Sequence, residues 1–304
     1  MAAVSTLGSV TFNTSVSLHG VTRLAVTPGN RIIRPRGDGY LYPTRVYTSQ
    51  ILPVIDFTTM DVATALALGT NTFGLYGIAL SAAFSCYLTE RTADAGLATT
   101  GEKLAVSTGM VVPVRLSVAR GEAAQLELRV HARSTDGTTN PLSRTADQTV
   151  PASAALTSCH TIGKVMINGS ELAAYLVDRI EYDPGIEVIT LGGDLYPTKL
   201  YIGAVNPRFT IEISDTDALA TLGLTGLAQN TTDSVISLRK FDPNGGRVAD
   251  GTAEHITFTI DDGLVWAEQV EGDQDGTDRV RVIFEPAWDA SNNIVVFSAA
   301  AAIS

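Results

Sequence analysis

Apolar and polar residues alternate along the chain in short runs, and nearly every run is closed by proline, glycine, asparagine or aspartate. Alternation at period two puts one set of side chains on a buried sheet face and the other on an open face, so these runs predict strands. Residues 11–17 and 164–167 begin two similar series, the second stopping at the turn-forming pair Asn168-Gly169. Residues 20–26 and 175–182 follow, closed by Thr27-Pro28-Gly29 and Asp183-Pro184-Gly185, where the fixed φ of proline and the freedom of glycine enforce a turn. Residues 41–48 and 195–203 predict the next strand of each series, and a further extended piece follows Pro53 and Pro207. The period then changes. Residues 214–223 (SDTDALATLG) open with capping side chains, continue with helix formers and stop at glycine; residues 61–69 repeat the design. A helix of about two to three turns is marginal alone in water and must lie on a sheet. Each series closes with a hairpin. In the first, residues 109–118 turn at Ala119-Arg120-Gly121-Glu122 into QLELRVHAR, with Leu126, Leu128, Val130 and Ala132 on one face and Glu127, Arg129, His131 and Arg133 on the other.

The two series are one pattern written twice. Residues 39–69 and 193–223 align without a gap at an offset of 154 and agree at ten of thirty-one positions, among them Leu41-Tyr42-Pro43-Thr44 against Leu195-Tyr196-Pro197-Thr198. Chance would give about two. Upstream, Val21, Arg23, Leu24, Pro28 and Gly29 meet Val177, Arg179, Ile180, Pro184 and Gly185 at an offset of 156, so the first copy carries two extra residues in a turn. Downstream, Leu126, Leu128 and Val130 meet Val280, Val282 and Phe284 at 154 again, whereas residues 70–100 and 224–253 do not align. We read an internal duplication. It predicts a mainly β protein of two tandem similar domains, 1–150 and 160–304, each with one short α-helix, joined by a Ser/Thr/Ala/Pro-rich linker over about 134–162 that has room for a closing strand around Thr149-Val150.

Each half is long enough to bury its own core. The net charge of −11 and charged fraction of 17% argue against a protein that grips the phosphate backbone. The start MAAVSTLGSV lacks the basic opening of a signal peptide, and the most apolar run, 74–88, is too short for a membrane span of about 20 residues, so neither export nor membrane insertion is expected. The apolar end, 293–304, predicts a packed C-terminus, with another subunit as a candidate surface for it.

Candidate chemistry is sparse. His19, His131, His160 and His255 occupy non-equivalent positions without metal-ligand spacing, and Cys86 and Cys159 read as buried thiols rather than a repeated disulfide. There is no GxSxG, no phosphate-cradling glycine loop and no recurring Cys-His pair, so an enzyme is not expected, nor any cofactor. One metal candidate stands out: Asp273, Asp275 and Asp278 in EGDQDGTD share the spacing of calcium loops. The residue that would complete an EF-hand is Phe284, in a predicted strand, and the solvated-turn reading therefore prevails. Tyr42/Tyr47 and Tyr196/Tyr201 could serve as stacking platforms, but tyrosine on a strand is ordinary sheet packing, and Pro43 and Pro197 place them at an edge or bulge. Arg31, Arg34 and Arg36 form a small basic loop, read as a subunit or surface contact.

A tandem pair of β domains of about 150 residues with one short helix each and an acidic composition resembles bacteriophage tail tube proteins; the stretch 167–191, where an Asn-Gly turn precedes a strand bearing Ile-Glu, is similar to their opening strands. The resemblance implies type VI secretion tube-like domains, each a β-sandwich or barrel flanked by a helix. It further implies a structural virion protein, made in the host bacterial cytoplasm, that self-assembles into stacked rings forming the hollow tail tube for DNA ejection. With two domains per chain the ring would be a trimer with pseudo-sixfold symmetry. DNA would pass non-specifically through a carboxylate-lined lumen, residues 71–100 and 230–251 would make inter-ring contacts, and the tape measure, terminator and baseplate would be neighbours. Two other classes compete: a carbohydrate- or cell-surface-binding β module using Trp266 and Trp288 as platforms, and a capsid-decoration or tail-end protein that does not polymerise.

Overall fold

The computed structural model describes residues 5–303 except 14, 37–40, 70–73, 82, 92–95, 153–155, 157–158, 216, 225, 227, 243–245, 272–278 and 289–292. The first half contains β1 Ser5–Phe12, β2 Val16–Leu18, β3 Val21–Thr27, β4 Asn30–Ile33, β5 Tyr47–Ile51, β6 Val54–Thr59, α1 Val62–Leu66, β7 Ala79–Leu80, β8 Phe84–Arg91, β9 Leu97–Val106, β10 Gly109–Ala119, β11 Gln125–Ala132 and β12 Leu142–Thr149. The second contains β13 Cys159–Ile167, β14 Ser170–Leu172, a 3-10 turn at Ala174–Leu176, β15 Val177–Asp183, β16 Ile186–Leu191, β17 Lys199–Val205, β18 Arg208–Ile213, α2 Asp217–Thr221, β19 Gln229–Asn230, β20 Ser234–Asp242, β21 Gly246–Arg247, β22 His255–Ile260, β23 Gly263–Glu271, β24 Arg279–Pro286 and β25 Val296–Ala301. The protein is thus mainly β with two short helices, and its described strand pairs are antiparallel.

The halves use the same strand orders. The first carries a sheet β12-β9-β8-β1-β2, the second a sheet β25-β22-β20-β13-β14 with β21 appended to β20. A ten-stranded sheet runs through both: β10-β11-β6-β3 with β7 on β10 from the first half, β19-β23-β24-β18-β15 from the second, joined where β10 pairs β15. Registers agree as well. Leu24 faces Phe57 and Phe57 faces Leu128 in the first half, and Ile180 faces Ile211 and Ile211 faces Val282 in the second. The segments that did not align in sequence fall into equivalent places: β8 pairs β9 with Phe84 opposite Val106, and β20 pairs β22 with Ser234 opposite Ile260.

Each half is a sandwich of its five-stranded sheet on its share of the long one. Phe12, Phe57 and Phe84, from β1, β6 and β8, meet at centroid distances of 5.2–5.7 Å and are almost fully buried. Tyr182, Phe209 and Phe258 do the same in the second half, at 4.3–5.6 Å. The alternation read from the hairpin holds: Leu126, Leu128, Val130 and Ala132 are buried, as are Val280, Val282 and Phe284. The helices lie on this core through Val62, Ala65 and Leu66 and through Ala218 and Leu219.

Several expectations need correction. The run 11–17 is two strands, because Asn13 takes a left-handed φ of 47° and its N–H donates to the Ala83 carbonyl. Leu41-Tyr42-Pro43-Thr44 and its copy are not strand: β5 and β17 begin at Tyr47 and Lys199, after the prolines. The helices have five residues, and Asp61 makes no side-chain cap, whereas the Asp215 carboxylate accepts the Asp217 N–H at 2.9 Å. The closing strand expected around Thr149-Val150 starts earlier, as β12 from Leu142 to Thr149, an edge strand on β9. The C-terminus is packed as expected, and its partner is its own half: β25 pairs β22, with Phe297 and Ile303 buried. Residues 71–100 and 230–251, which do not align between the copies, hold β8 and β20, inner strands of their sheets.

Phe57→Ala should cost about 3–5 kcal/mol, because it empties the centre of a three-ring cluster that backbone strands on both sides prevent from collapsing. Urea unfolding followed by tryptophan fluorescence measures it; a loss below about 1 kcal/mol would contradict this packing.

Candidate assembly interface

The halves are joined by backbone, not merely by contact of side chains. In β10 and β15, Leu116 lies opposite Tyr182, Ser117 opposite Glu181, Val118 opposite Ile180 and Ala119 opposite Arg179. Arg120 secures the end of this joint. Its N–H donates to the Asp178 carbonyl at 2.8 Å, its guanidinium donates to the carbonyls of Tyr175 at 2.6 Å and Val177 at 3.2 Å, and it pairs with the Asp178 carboxylate at 2.9 Å.

A second contact lies on the open face of the long sheet. There the hairpin β16–β17 brings Ile186, Val188, Leu200, Ile202 and Val205 onto a small apolar core of Leu75, Ile78, Met110 and Val112 from the first half. The turn before β17 is held by the loop after β11: the Gly137 carbonyl accepts the N–H groups of Leu195 at 3.0 Å and Tyr196 at 2.9 Å, and Ser134 N–H donates to the Pro197 carbonyl at 2.8 Å. Asp136 shapes that loop. Its carboxylate accepts the Thr139 hydroxyl at 2.6 Å, the N–H groups of Thr139 and Thr138 at 2.8 and 2.9 Å and the Ser134 hydroxyl at 2.8 Å, which holds it well below the usual carboxylate range.

The same sequence has opposite fates in the two halves. Tyr196 is 8% exposed and Pro197 is buried, whereas Tyr42 is 79% exposed and residues 41–48 are exposed throughout. Tyr201 and Tyr47, the second tyrosine of each motif, are both exposed. The signal for this difference was present in the repeat but invisible as a site, because a motif is silent about whether its partner surface precedes it in the same chain.

The open face of the ten-stranded sheet carries a ladder of charges. Arg129 donates to the Asp56 carboxylate at 2.6 Å, and Arg115 and Arg179 both pair with Glu181. Arg208 meets Glu268 at 2.8 Å, and Arg281 lies 3.5 Å from Glu212 and 3.6 Å from Glu268. Arg115, Glu181, Arg208, Glu212, Glu268 and Arg281 line an open cleft of about 560 Å³. Among the described side chains, strand alternation puts seven carboxylates (Asp56, Glu127, Glu181, Asp183, Glu212, Glu268 and Glu285) and seven arginines (Arg23, Arg115, Arg129, Arg179, Arg208, Arg279 and Arg281) on this face. The two signs are thus interspersed on this face rather than segregated.

The other candidates are dispersed. Asp273, Asp275 and Asp278 lie outside the described residues, and among the described residues no cluster of three or more His, Cys, Asp or Glu side chains could hold a metal ion. Cys86 is buried, with its thiol pushed up to about 12 by desolvation, and Cys159 is partly buried; neither forms a disulfide. His255 is buried with Nδ1 accepting the Lys240 N–H at 3.0 Å. Arg31, Arg34 and Arg36 are exposed. Trp266 is half-buried on β23 and Trp288, just beyond β24, is 62% exposed. Among the described residues no helix is long and apolar enough to cross a membrane. No protein-family model matches the chain, and no curated protein matches it.

Burial pushes His160 down from 6.5 to about 4, with the nearby Lys240 and His255 charges adding to the effect against a backbone hydrogen bond at Glu254. His131 is pushed down to about 4 by burial and by Arg129, against the opposing pull of Asp56. Both are neutral when folded and bind protons more readily when unfolded, so stability is fully present above pH 6.5 and falls as the pH drops from about 6.5 to 4. Melting temperatures across that window should decline, and less steeply in a His131→Gln/His160→Gln variant; an equal slope in both proteins would refute the assignment.

Proposed function

We propose that the chain is a structural subunit that self-assembles head to tail into closed rings, stacked as the hollow tail tube of a bacteriophage virion through which DNA passes. One observation carries the reading. The long sheet ends on β3 and, at the other side, on the β23–β19 edge, and these are the counterparts of β15 and β10, the strands joined at its centre. A sheet whose two ends match the two sides of its own internal joint can be extended by another copy through the same pairing. Three copies, each supplying two halves, would close a ring of six equivalent units.

The charge ladder supports the lining of such a channel. A wall that conducts DNA must neither seize phosphates nor offer bases a hydrogen-bonding code. Five of the seven arginines of the face are already engaged by carboxylates, which leaves little positive potential to release counterions from a passing duplex. The neighbours expected of a tail tube, tape measure, terminator and baseplate proteins, belong to this same reading.

Negative-stain microscopy of the concentrated protein should show rings or hollow tubes; a monodisperse monomer at high concentration would overturn the proposal. A Glu181→Gln/Glu212→Gln variant frees Arg115, Arg179 and part of the Arg281 charge. It should retard duplex DNA in a gel at low salt under conditions where the parent protein does not, and lose that binding steeply as salt is raised.

A further inference from the structure

We propose that residues 41–47 and the β4–β5 hairpin of one copy dock on the β23 end of a second copy of this chain, against Leu264, Trp266 and Trp288. This contact deepens the self-assembly reading and rests on it, but not on the tube. The template is the joint inside the chain. There Val188, Leu200 and Val205 of the second hairpin pack against the cluster that Met110 and Val112 of β10 form with Leu75 and Ile78, and the Leu195-Tyr196-Pro197 run binds the loop beginning at Ser134.

Each of these positions has a counterpart at the offsets already described. The hairpin residues correspond to Ile32, Val46 and Ile51, and their partners on β10 correspond to Leu264 and Trp266 on β23. Ser134 corresponds to Trp288, and the backbone there is equivalent: Arg133 N–H donates to the Thr108 carbonyl and Ala287 N–H to the Asp262 carbonyl, both at 3.0 Å. Ile51 and Trp266 are half-buried, and the other counterparts are open. Ile32 is 48% and Val46 62% exposed on the hairpin, and Leu264 is 42% exposed on the sheet. Leu41 and Tyr42 stand almost clear of the protein, although the same two residue types are largely covered at 195 and 196.

An apolar patch beside a free strand edge is ordinarily selected against, since both features promote association. Here the patch sits at each end of the molecule, and the two patches differ: a hairpin at one end, a sheet face at the other. Two unlike, complementary ends specify a heterologous contact with a second copy rather than a twofold one. The sheet would continue through it, with Val26 of β3 opposite Val270 and Ala25 opposite Glu271, as Tyr182 and Glu181 stand opposite Leu116 and Ser117.

The test uses two double variants at exposed positions, Tyr42→Asp/Val46→Asp and Leu264→Asp/Trp288→Asp, whose melting curves should match the parent. Mass is read by analytical ultracentrifugation of the full chain. Each variant alone should sediment at the 32.0 kDa of one chain, and an equimolar mixture should give a one-to-one pair and nothing larger, because each variant keeps one intact end. Parent protein that assembles while either variant assembles equally well overturns the docking contact and leaves the ring reading standing. A variant that dimerises by itself also overturns the contact, since that outcome requires a twofold face. If the mixture pairs as stated but the parent forms open fibres without a lumen, the contact holds and the tube reading fails. A parent that stays monomeric at high concentration overturns both.

Discussion

Four residue pairs between β10 and β15 decide what kind of object this protein is. Without them the chain would be two sandwiches on a string, each with a long sheet ending in an unsatisfied edge on both sides. With them one backbone ladder crosses the whole molecule, and the buried side chains of the two halves merge into one apolar cluster. The Tyr76 ring of the first half packs at a tilt against Phe297 of the second, 4.7 Å between centroids, so the joint is reinforced away from the strands as well. The arrangement answers the edge problem of β proteins once, internally, by letting a strand of one half cap the other.

The open face of that sheet follows a different logic from its buried face. Apolar residues on the buried face are fixed by volume, while the open face is free in size but constrained in sign. Glu181 serves two arginines from neighbouring strands, and Arg281 serves two glutamates. Exposed pairs of this kind contribute little stability individually. Their effect is to fix where each charge points and to prevent any one sign from accumulating across several strands.

Much of the fold was legible because period-two alternation is a local signal. Leu126, Leu128 and Val130 announced their face, and Pro28-Gly29 and Pro184-Gly185 their turns, with Gly29 and Gly185 at φ of 73° and 57°. Two things were not legible. β8 and β20 occupy matching positions, yet Phe84 and Ser234 differ by 150 residues where Val106 and Ile260 differ by 154; the four-residue change in loop length hid the correspondence. The spacing of the tyrosine motif suits a strand, whereas Tyr196 is buried in a turn whose backbone is held by a hydrogen bond to the Gly137 carbonyl, fifty-nine residues upstream. No local pattern encodes a partner that distant. The charge ladder was hidden for a related reason: total charge says nothing of how Arg and Glu on separate strands meet.

The covalent connection between β12 and β13 has a consequence for kinetics. Because residues 150–158 tether the halves, the central joint closes as a unimolecular event, at an effective concentration set by a short tether and indifferent to how much protein is present. Dilution therefore cannot part the two halves, and whether the joint is closed depends on the chain's own conformational equilibrium rather than on how many copies surround it.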